Sequence, residues 1–265
     1  LKGFGLTDNA SNPAKYRFPD VTLQPGRHIT VLAAGEGVQA SQNLCAPFKL
    51  SRLGCTVALF DAQDKLIDRY FIGTLPQNIS VGREAGAAQT AYFETPTPGQ
   101  PNGEGKKGFA GDVQFSQKAG VYDGAVELTL SASDGCDIYY TTEKGVTPTS
   151  ASKKYTGPIT INKTTAVRAI AHRGDYIPGG TATATYFINP PHTLPLISLV
   201  TDDKNLFDPN TGIYMEGSNA TGSLKEGANF HNDTEVSASF EVYDESGAKV
   251  FNQNIALRMA GGLSQ

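Results

Sequence analysis

The sequence predicts an all-β protein built of tandem β-sandwiches, with a further β-rich segment towards its C-terminal end. Three observations carry that expectation. Apolar residues recur at every second position over short runs, as at Val126, Leu128 and Leu130 or at Ala184, Tyr186 and Ile188, which is the period of a half-buried strand. The 265 residues include 29 glycines and 15 prolines, which punctuate those runs as turns. Helical periodicity is missing between the turns.

The first segment, residues 1–102, reads as a succession of short strands: Phe4 to Leu6, Lys15 to Phe18, His28 to Ala33, Cys55 to Asp61, Leu66 to Phe71, Ser80 to Arg83, and Ala91 to Glu94. Turns at Gln24-Pro25-Gly26, Ser51 to Gly54 and Asp61 to Lys65 separate them, the last as a hairpin loop between Val57, Leu59, Phe60 and Leu66, Ile67. Strands at this spacing make a sandwich. The odd number of cysteines, Cys45, Cys55 and Cys136, fits small buried apolar residues. A Cys45–Cys55 bridge is the competing reading, but the turn at Ser51 to Gly54 places Cys45 opposite Leu59 or Phe60.

The phrases LKGFGLTD (Leu1 to Asp8), KYRFPD (Lys15 to Asp20), LQPGRHITVLAAG (Leu23 to Gly35), FKLSRLGCTVALFDAQDKLIDRY (Phe48 to Tyr70) and TPTPGQPN (Thr95 to Asn102) resemble the lamin-tail domain, an immunoglobulin-like sandwich. The resemblance implies strands ahead of the position matched by Leu1. Without them an edge strand is left whose amides must pair elsewhere.

Residues 103–111 (GEGKKGFAG) have the composition of a solvated linker, Lys106 and Lys107 included. The second segment, residues 112–188, centres on Gly135 to Ile161: a strand over Asp137 to Thr141, a turn-rich loop over Glu143 to Ser152, and a second strand after Tyr155-Thr156-Gly157-Pro158. Ile138 and Tyr140 share one face, as do Val167, Ala169 and Ala171. The pair Tyr139-Tyr140, the Thr147-Pro148 loop and the Tyr155 to Ile159 continuation are similar to the C-terminal module of chitobiases and β-hexosaminidases. Gly120 to Gly124 and Val167 to Ala171 extend the likeness. The resemblance implies a small sandwich that is an appendage and not a catalyst.

Asn189-Pro190-Pro191 is a stiff joint. The third segment, residues 194–265, opens with LPLISLVTDDKNLFDPNTGIYMEG and an irregular glycine-rich loop, and then forms a hairpin. Val236, Ala238, Phe240 and Val242 line one face of its first strand and Glu235, Ser237, Ser239 and Glu241 the other. Asp244 to Gly247 is the turn, and Phe251, Ile255, Leu257 and Met259 continue the apolar face. A lone hairpin cannot bury such a face. It is expected to pack on the Leu194 to Val200 strand and the preceding sandwich, or on a second copy. The segment resembles the opening of the spore-coat CotH kinase family, through its Leu-Phe-Asp-Pro and Gly-Ile-Tyr phrases and a glycine-serine loop after the hairpin. The three resemblances together imply tandem immunoglobulin-like β-sandwiches plus a truncated β-rich C-terminal segment, with most of a kinase domain lying downstream.

Little in the chain carries chemistry. Arg258, Gly261, Gly262 and Ser264 are the candidate remnant of a phosphate loop, although a glycine pair also simply ends a strand. Asp202, Asp203, Asp208 and Asn210 form an oxygen-rich cluster of the kind calcium favours, with Asp203, Asp208 and Asn210 the candidate ligands; Asp208 to Gly212 equally has the composition of a plain turn. The 11 tyrosines and absence of tryptophan leave Tyr139, Tyr140 and Tyr155 as candidates for stacking on a sugar, against the reading that they close the sandwich. The four histidines, His28, His172, His192 and His231, are isolated, and no P-loop, HExxH or G-x-S-x-G phrase occurs. A net charge of −4 argues against nucleic acid, and no apolar run approaches the ~18 residues of a spanning helix.

The functional expectation is a non-catalytic segment, extracellular or at the cell surface, that spaces or binds for a downstream CotH-like domain. Its candidate partners are a surface protein or a polysaccharide, and exposed edges allow self-association. The competing expectation is part of a secreted CotH-type atypical protein kinase. ATP and Mg would then serve the full-length parent, while this chain transfers no phosphate and needs no cofactor.

Overall fold

In residues 1–108 the short apolar runs become the strands β1 (Gly5–Thr7), β2 (Tyr16–Arg17), β3 (Val31–Ala33), β4 (Leu44–Ala46), β5 (Cys55–Phe60), β6 (Leu66–Ile72), β7 (Ser80–Arg83) and β8 (Thr90–Phe93). The computed structural model describes residues 1–38, 44–51, 53–76, 78–133, 135–191 and 194–260, and the chain falls into two units, residues 1–108 and 109–265. In the first unit β2, β1, β5 and β6 form an antiparallel sheet, β3 and β4 a parallel pair, and β7 and β8 a hairpin. Alternation decides the inward set: Ala58 and Phe60 on β5, and Ala91 and Phe93 on β8, join Phe18 and Phe48 in the core. Arg83 holds Asp68 with two hydrogen bonds (2.7 and 3.1 Å) and lies 5.2 Å above the Tyr70 ring, and the Tyr70 hydroxyl donates to the Gly82 carbonyl.

Two expectations for this unit are corrected. Cys45 does not face Leu59 or Phe60; it belongs to β4 and pairs in parallel with Leu32, because β4 is a strand whose signal the chain pattern lacked. Cys45, Cys55 and Cys136 are half-buried thiols. Residues 103–111 are also less free than their glycines imply. The Gly105 N–H donates to Glu84 Oε1 at 2.7 Å, and Lys106 and Tyr92 exchange backbone hydrogen bonds at 2.9 and 2.8 Å. Beyond Gly108, the Ala110 N–H donates to the Ile177 carbonyl at 2.8 Å, and Ala110 is buried.

Residues 109–265 contain β9 (Gln114–Phe115), β10 (Gly120–Tyr122), β11 (Val126–Leu128), β12 (Leu130–Ser131), β13 (Asp137–Thr141), β14 (Lys153–Lys154), β15 (Ile159–Ile161), β16 (Thr165–His172), β17 (Ala182–Ile188), β18 (Leu196–Thr201), β19 (Val236–Tyr243) and β20 (Lys249–Leu257). A five-stranded sheet, in the order β10-β17-β16-β13-β14, faces the pairs β11-β15 and β9-β12 across an apolar core. Val167, Ala169 and Ala171 on β16, Ile138 and Tyr140 on β13, and Tyr186 on β17 fill that core with Leu128 and Ile161. Both expected segments, 112–188 and 194–265, lie in this one unit.

The third sheet, in the order β18-β19-β20, departs from the alternation. Of the expected inward face of β19 only Ala238 is buried, and Val236, Phe240 and Val242 are half-buried. Ser239, Glu241 and Tyr243 on the other face are buried, with Glu241 and Tyr243 fully so. They lie with Ser198 against the far face of the five-stranded sheet: Ser198 Oγ is 2.7 Å from Thr185 Oγ1, and the Tyr243 hydroxyl donates to the Thr185 carbonyl at 3.2 Å. Phe187 and Tyr243 meet edge to face at 5.1 Å. The layer between the sheets is thus largely polar, and Ile197, Leu199 and Phe251 are left 64%, 48% and 44% exposed. Thr183, Thr185 and Arg168 make the far face of the five-stranded sheet polar, and Ser198 and Tyr243 meet it through Thr185, although Ser239 Oγ and Glu241 Oε2 are buried without a hydrogen-bond partner.

Among the described residues the helical ones are α1 (Asp203–Phe207) and a single 3-10 turn at Asn229–His231. No helix there is long and apolar enough to cross a membrane.

Candidate functional site

β18 is built from Leu-Ile-Ser-Leu-Val-Thr, rich in β-branched residues, started after Pro195 and stopped where Asp202 and Asp203 turn into α1. Among the described residues it pairs with β19 alone, so its other edge is open. Two contacts fix what that edge presents. Thr201 Oγ1 and Asn205 Nδ2 both donate to the Ser237 carbonyl (2.7 and 3.3 Å), so the backbone groups of Ser237, Ser239 and Glu241 point at β18. By register, Leu196, Ser198 and Val200 answer them, while the N–H and C=O groups of Ile197 and Leu199 point to the open edge. The Asp203 N–H, two residues beyond Thr201 in that outward series, donates to the Gly145 carbonyl at 2.9 Å.

A buried charge pair sets the end of the strand. Arg168 stands in the middle of β16 with its side chain 10% exposed, and its Nη1 donates to Asp202 Oδ1 at 2.7 Å. The Thr147 hydroxyl donates to the same oxygen. Burial alone would push the Asp202 carboxyl up, but the hydrogen bonds from Thr147 and Arg168 outweigh it and hold the group below the usual carboxylate range. Thr147 therefore ties the loop after β13 to the strand end. Gly145 lets the loop come that close: its φ is +68°, and a Cβ there would run into the Asp203 carboxylate.

A half-open cleft of about 1060 Å³ runs along this edge. One wall is β18, Ile197 to Thr201; the other is the loop Glu143 to Val146 with the stretch Ile159 to Ala166, and Phe187 and Thr185 also line it. Three lysines, Lys144, Lys153 and Lys163, face it against two carboxylates, Glu143 and Asp203. The Lys153 ammonium sits 5.4 Å from the Tyr140 ring centroid. Hydrogen bonding to Tyr140 raises the Lys153 pKa.

Tyr140 is buried, its ring edge-on to Tyr155 at 6.3 Å, so these two form core and not a platform. Tyr139 is on the opposite face, half-buried, with its ring edge-on to His172 at 6.1 Å. Asp208 is spent on its own turn: Oδ1 accepts from the N–H groups of Asn210 and Thr211 and from the Thr211 hydroxyl. Those bonds hold the Asp208 carboxyl below the usual range. Asp202 is spent on Arg168, and Asp203 lies beside Gly145. Among the described residues no three His, Cys, Asp or Glu side chains group as a metal would need. Arg258 pairs with Asp233 at 3.2 Å on the surface. Gly261, Gly262, Ser264 and His192 lie outside the described residues. The sequence reading missed the open edge of β18 and the role of Arg168. An arginine inside the apolar run Val167 to Ala171 was the available signal, since a cation at a buried strand position requires a partner.

Comparison with known families bears on one wall of this cleft. Residues 117–183 match the chitobiase/beta-hexosaminidase C-terminal domain. The match takes in β10 to β16, with Gly145, Thr147 and Arg168, and ends before β18. Neither a curated protein nor a solved structure matches the chain.

Proposed function

We propose that this chain is a non-catalytic accessory segment, extracellular or at the cell surface, that spaces or binds a protein or glycan for a CotH-like domain. The observation that carries the reading is the cleft beside β18. Its geometry is held by the buried Arg168–Asp202 pair, it offers backbone groups, threonines and apolar side chains, and one wall belongs to the domain matched at 117–183. In this reading residues 1–102 are a lamin-tail-like sandwich and residues 194–265 the entrance of the CotH-like domain. The resemblances quoted for those segments support that division.

Binding of the purified chain to insoluble polysaccharides, a glycan array and displayed peptides is the direct test, with Leu199→Asp as the cleft variant. Binding to one ligand class that Leu199→Asp removes is the expected result. The kinase reading is measured alongside with ATP and Mg²⁺. Magnesium-dependent phosphoryl transfer by this chain would overturn the non-catalytic proposal.

A further inference from the structure

The exposed residues beside the cleft define a chemistry of their own. Ile197 and Leu199 turn their N–H and C=O groups into the cleft's side of β18, with no strand beyond them among the described residues. The two residues are 64% and 48% exposed. An unpaired N–H and C=O series flanked by exposed apolar side chains is what a strand needs from its neighbour. A sugar would also call for an exposed flat aromatic ring to stack on, and among the candidate tyrosines for that role Tyr140 is buried. The space is already shaped for an extended chain: the Asp203–Gly145 hydrogen bond continues the outward series past the end of β18, so loop 143–146 stands where an added strand would end.

From this geometry we infer that the open edge of β18 takes an extended polypeptide segment as a further strand. Backbone hydrogen bonds to Ile197 and Leu199 would supply the register. Side chains on one face of the segment would lie beside Ile197 and Leu199, and those on the other would enter the cleft near Phe187 and Val146. Apolar residues at alternate positions are therefore the expected motif. The three lysines of the lining against two carboxylates favour an acidic residue beside it. The inference rests on the binding reading of the same cleft and names its ligand class.

The test pans a phage-displayed library of random dodecapeptides on the full chain, then measures synthetic versions of the enriched peptides. N-methylation of alternate backbone amides separates the two edges of the bound strand. One parity should lose about a hundredfold in affinity and the other should bind unchanged, since each hydrogen bond lost costs about tenfold. Leu199→Pro removes an outward N–H without touching the β18–β19 ladder and should weaken binding about tenfold, with the melting curve showing that the fold survives. Peptides that tolerate N-methylation in both parities would overturn strand addition. A glycan bound at the cleft with no peptide enriched would overturn this inference and leave the binding reading standing. Failure of both ligand classes would end both. A dimer in sedimentation that Leu199→Pro dissolves would assign the edge to a second copy and overturn the peptide as its occupant.

Discussion

The two sheets that lie face to face in residues 109–265 are built by opposite rules. The five-stranded sheet turns Val167, Ala169 and Tyr186 into an apolar core, as its alternation requires. The β18-β19-β20 sheet buries Ser198, Ser239 and Glu241 and leaves Ile197, Leu199 and Phe251 in contact with solvent. The five-stranded sheet keeps period two in what its strands give to that core, whereas in β19 the adjacent Ala238 and Ser239 are both buried. The difference is the surface each meets: the β11-β15 and β9-β12 pairs offer apolar side chains, whereas the far face of β16 and β17 offers Arg168, Thr183 and Thr185. Alternation sorts side chains into two sets, and the neighbour decides which set is buried.

Removing an anchor from the polar layer gives the largest expected effect. Tyr243 is fully buried, with its hydroxyl bound to the Thr185 carbonyl. Burial drives its pKa up. Tyr243→Ala should cost about 3–5 kcal/mol by chemical denaturation. A loss under ~1 kcal/mol would mean that the third sheet is not docked as described.

Next comes the charge pair. Asp202→Asn leaves the Arg168 guanidinium buried without its counter-charge and should cost about 3 kcal/mol at neutral pH. The pH dependence has a definite sign. The folded-state pKa of Asp202 lies below its ordinary value of 3.8, so its stabilisation is present above that value and is lost as the pH falls through the folded pKa. Acid titration of the variant should show a shallower loss of stability below pH 3.8 than the parent. Equal acid limbs would remove Asp202 from the account.

A smaller effect is expected at the loop. Gly145→Ala forces a Cβ into a left-handed backbone and towards the Asp203 carboxylate, for about 1–2 kcal/mol in thermal melts. Gly86→Ala, also at positive φ but with open space around it, is the control that isolates the contribution of the Asp203 contact.

The smallest effect is expected on the exposed face. Phe251→Ser, beside Phe240 at 6.0 Å between rings, should change the stability of the monomer by less than ~1 kcal/mol. A large loss that grows with protein concentration would show the face to be covered by another copy in solution, and the contrast between the sheets would then disappear.

Strand positions were readable to a good degree because alternation and turn chemistry are local. The expected strands at Cys55 to Asp61, Ser80 to Arg83 and Asp137 to Thr141 differ from β5, β7 and β13 by at most a residue. The Asp244 to Gly247 turn is where β19 gives way to β20, with Asp244 Oδ1 accepting from the N–H groups of Ser246 and Ala248. β4 was not readable, because a three-residue parallel strand has too few positions to show a period. The cleft was hidden for a different reason. Its walls, 143–146 with 159–166 and 197–201, are distant in sequence, and Thr147, Arg168 and Asp202 become one network only when the sheets stack.

By itself, then, the sequence determined an all-β chain, most strand and turn positions, and a chitobiase-type module in residues 112–188, of which 117–183 match the family, since each depends on neighbours along the chain. The tertiary structure alone decided that β19 would bury its polar face, that Asp202 would neutralise Arg168 and not gather with Asp208, and that among the described residues one edge of β18 would stay open. Those outcomes depend on which surface each strand meets, and the energy of burying Ser198 or Tyr243 is set by hydrogen-bond partners brought from elsewhere in the fold.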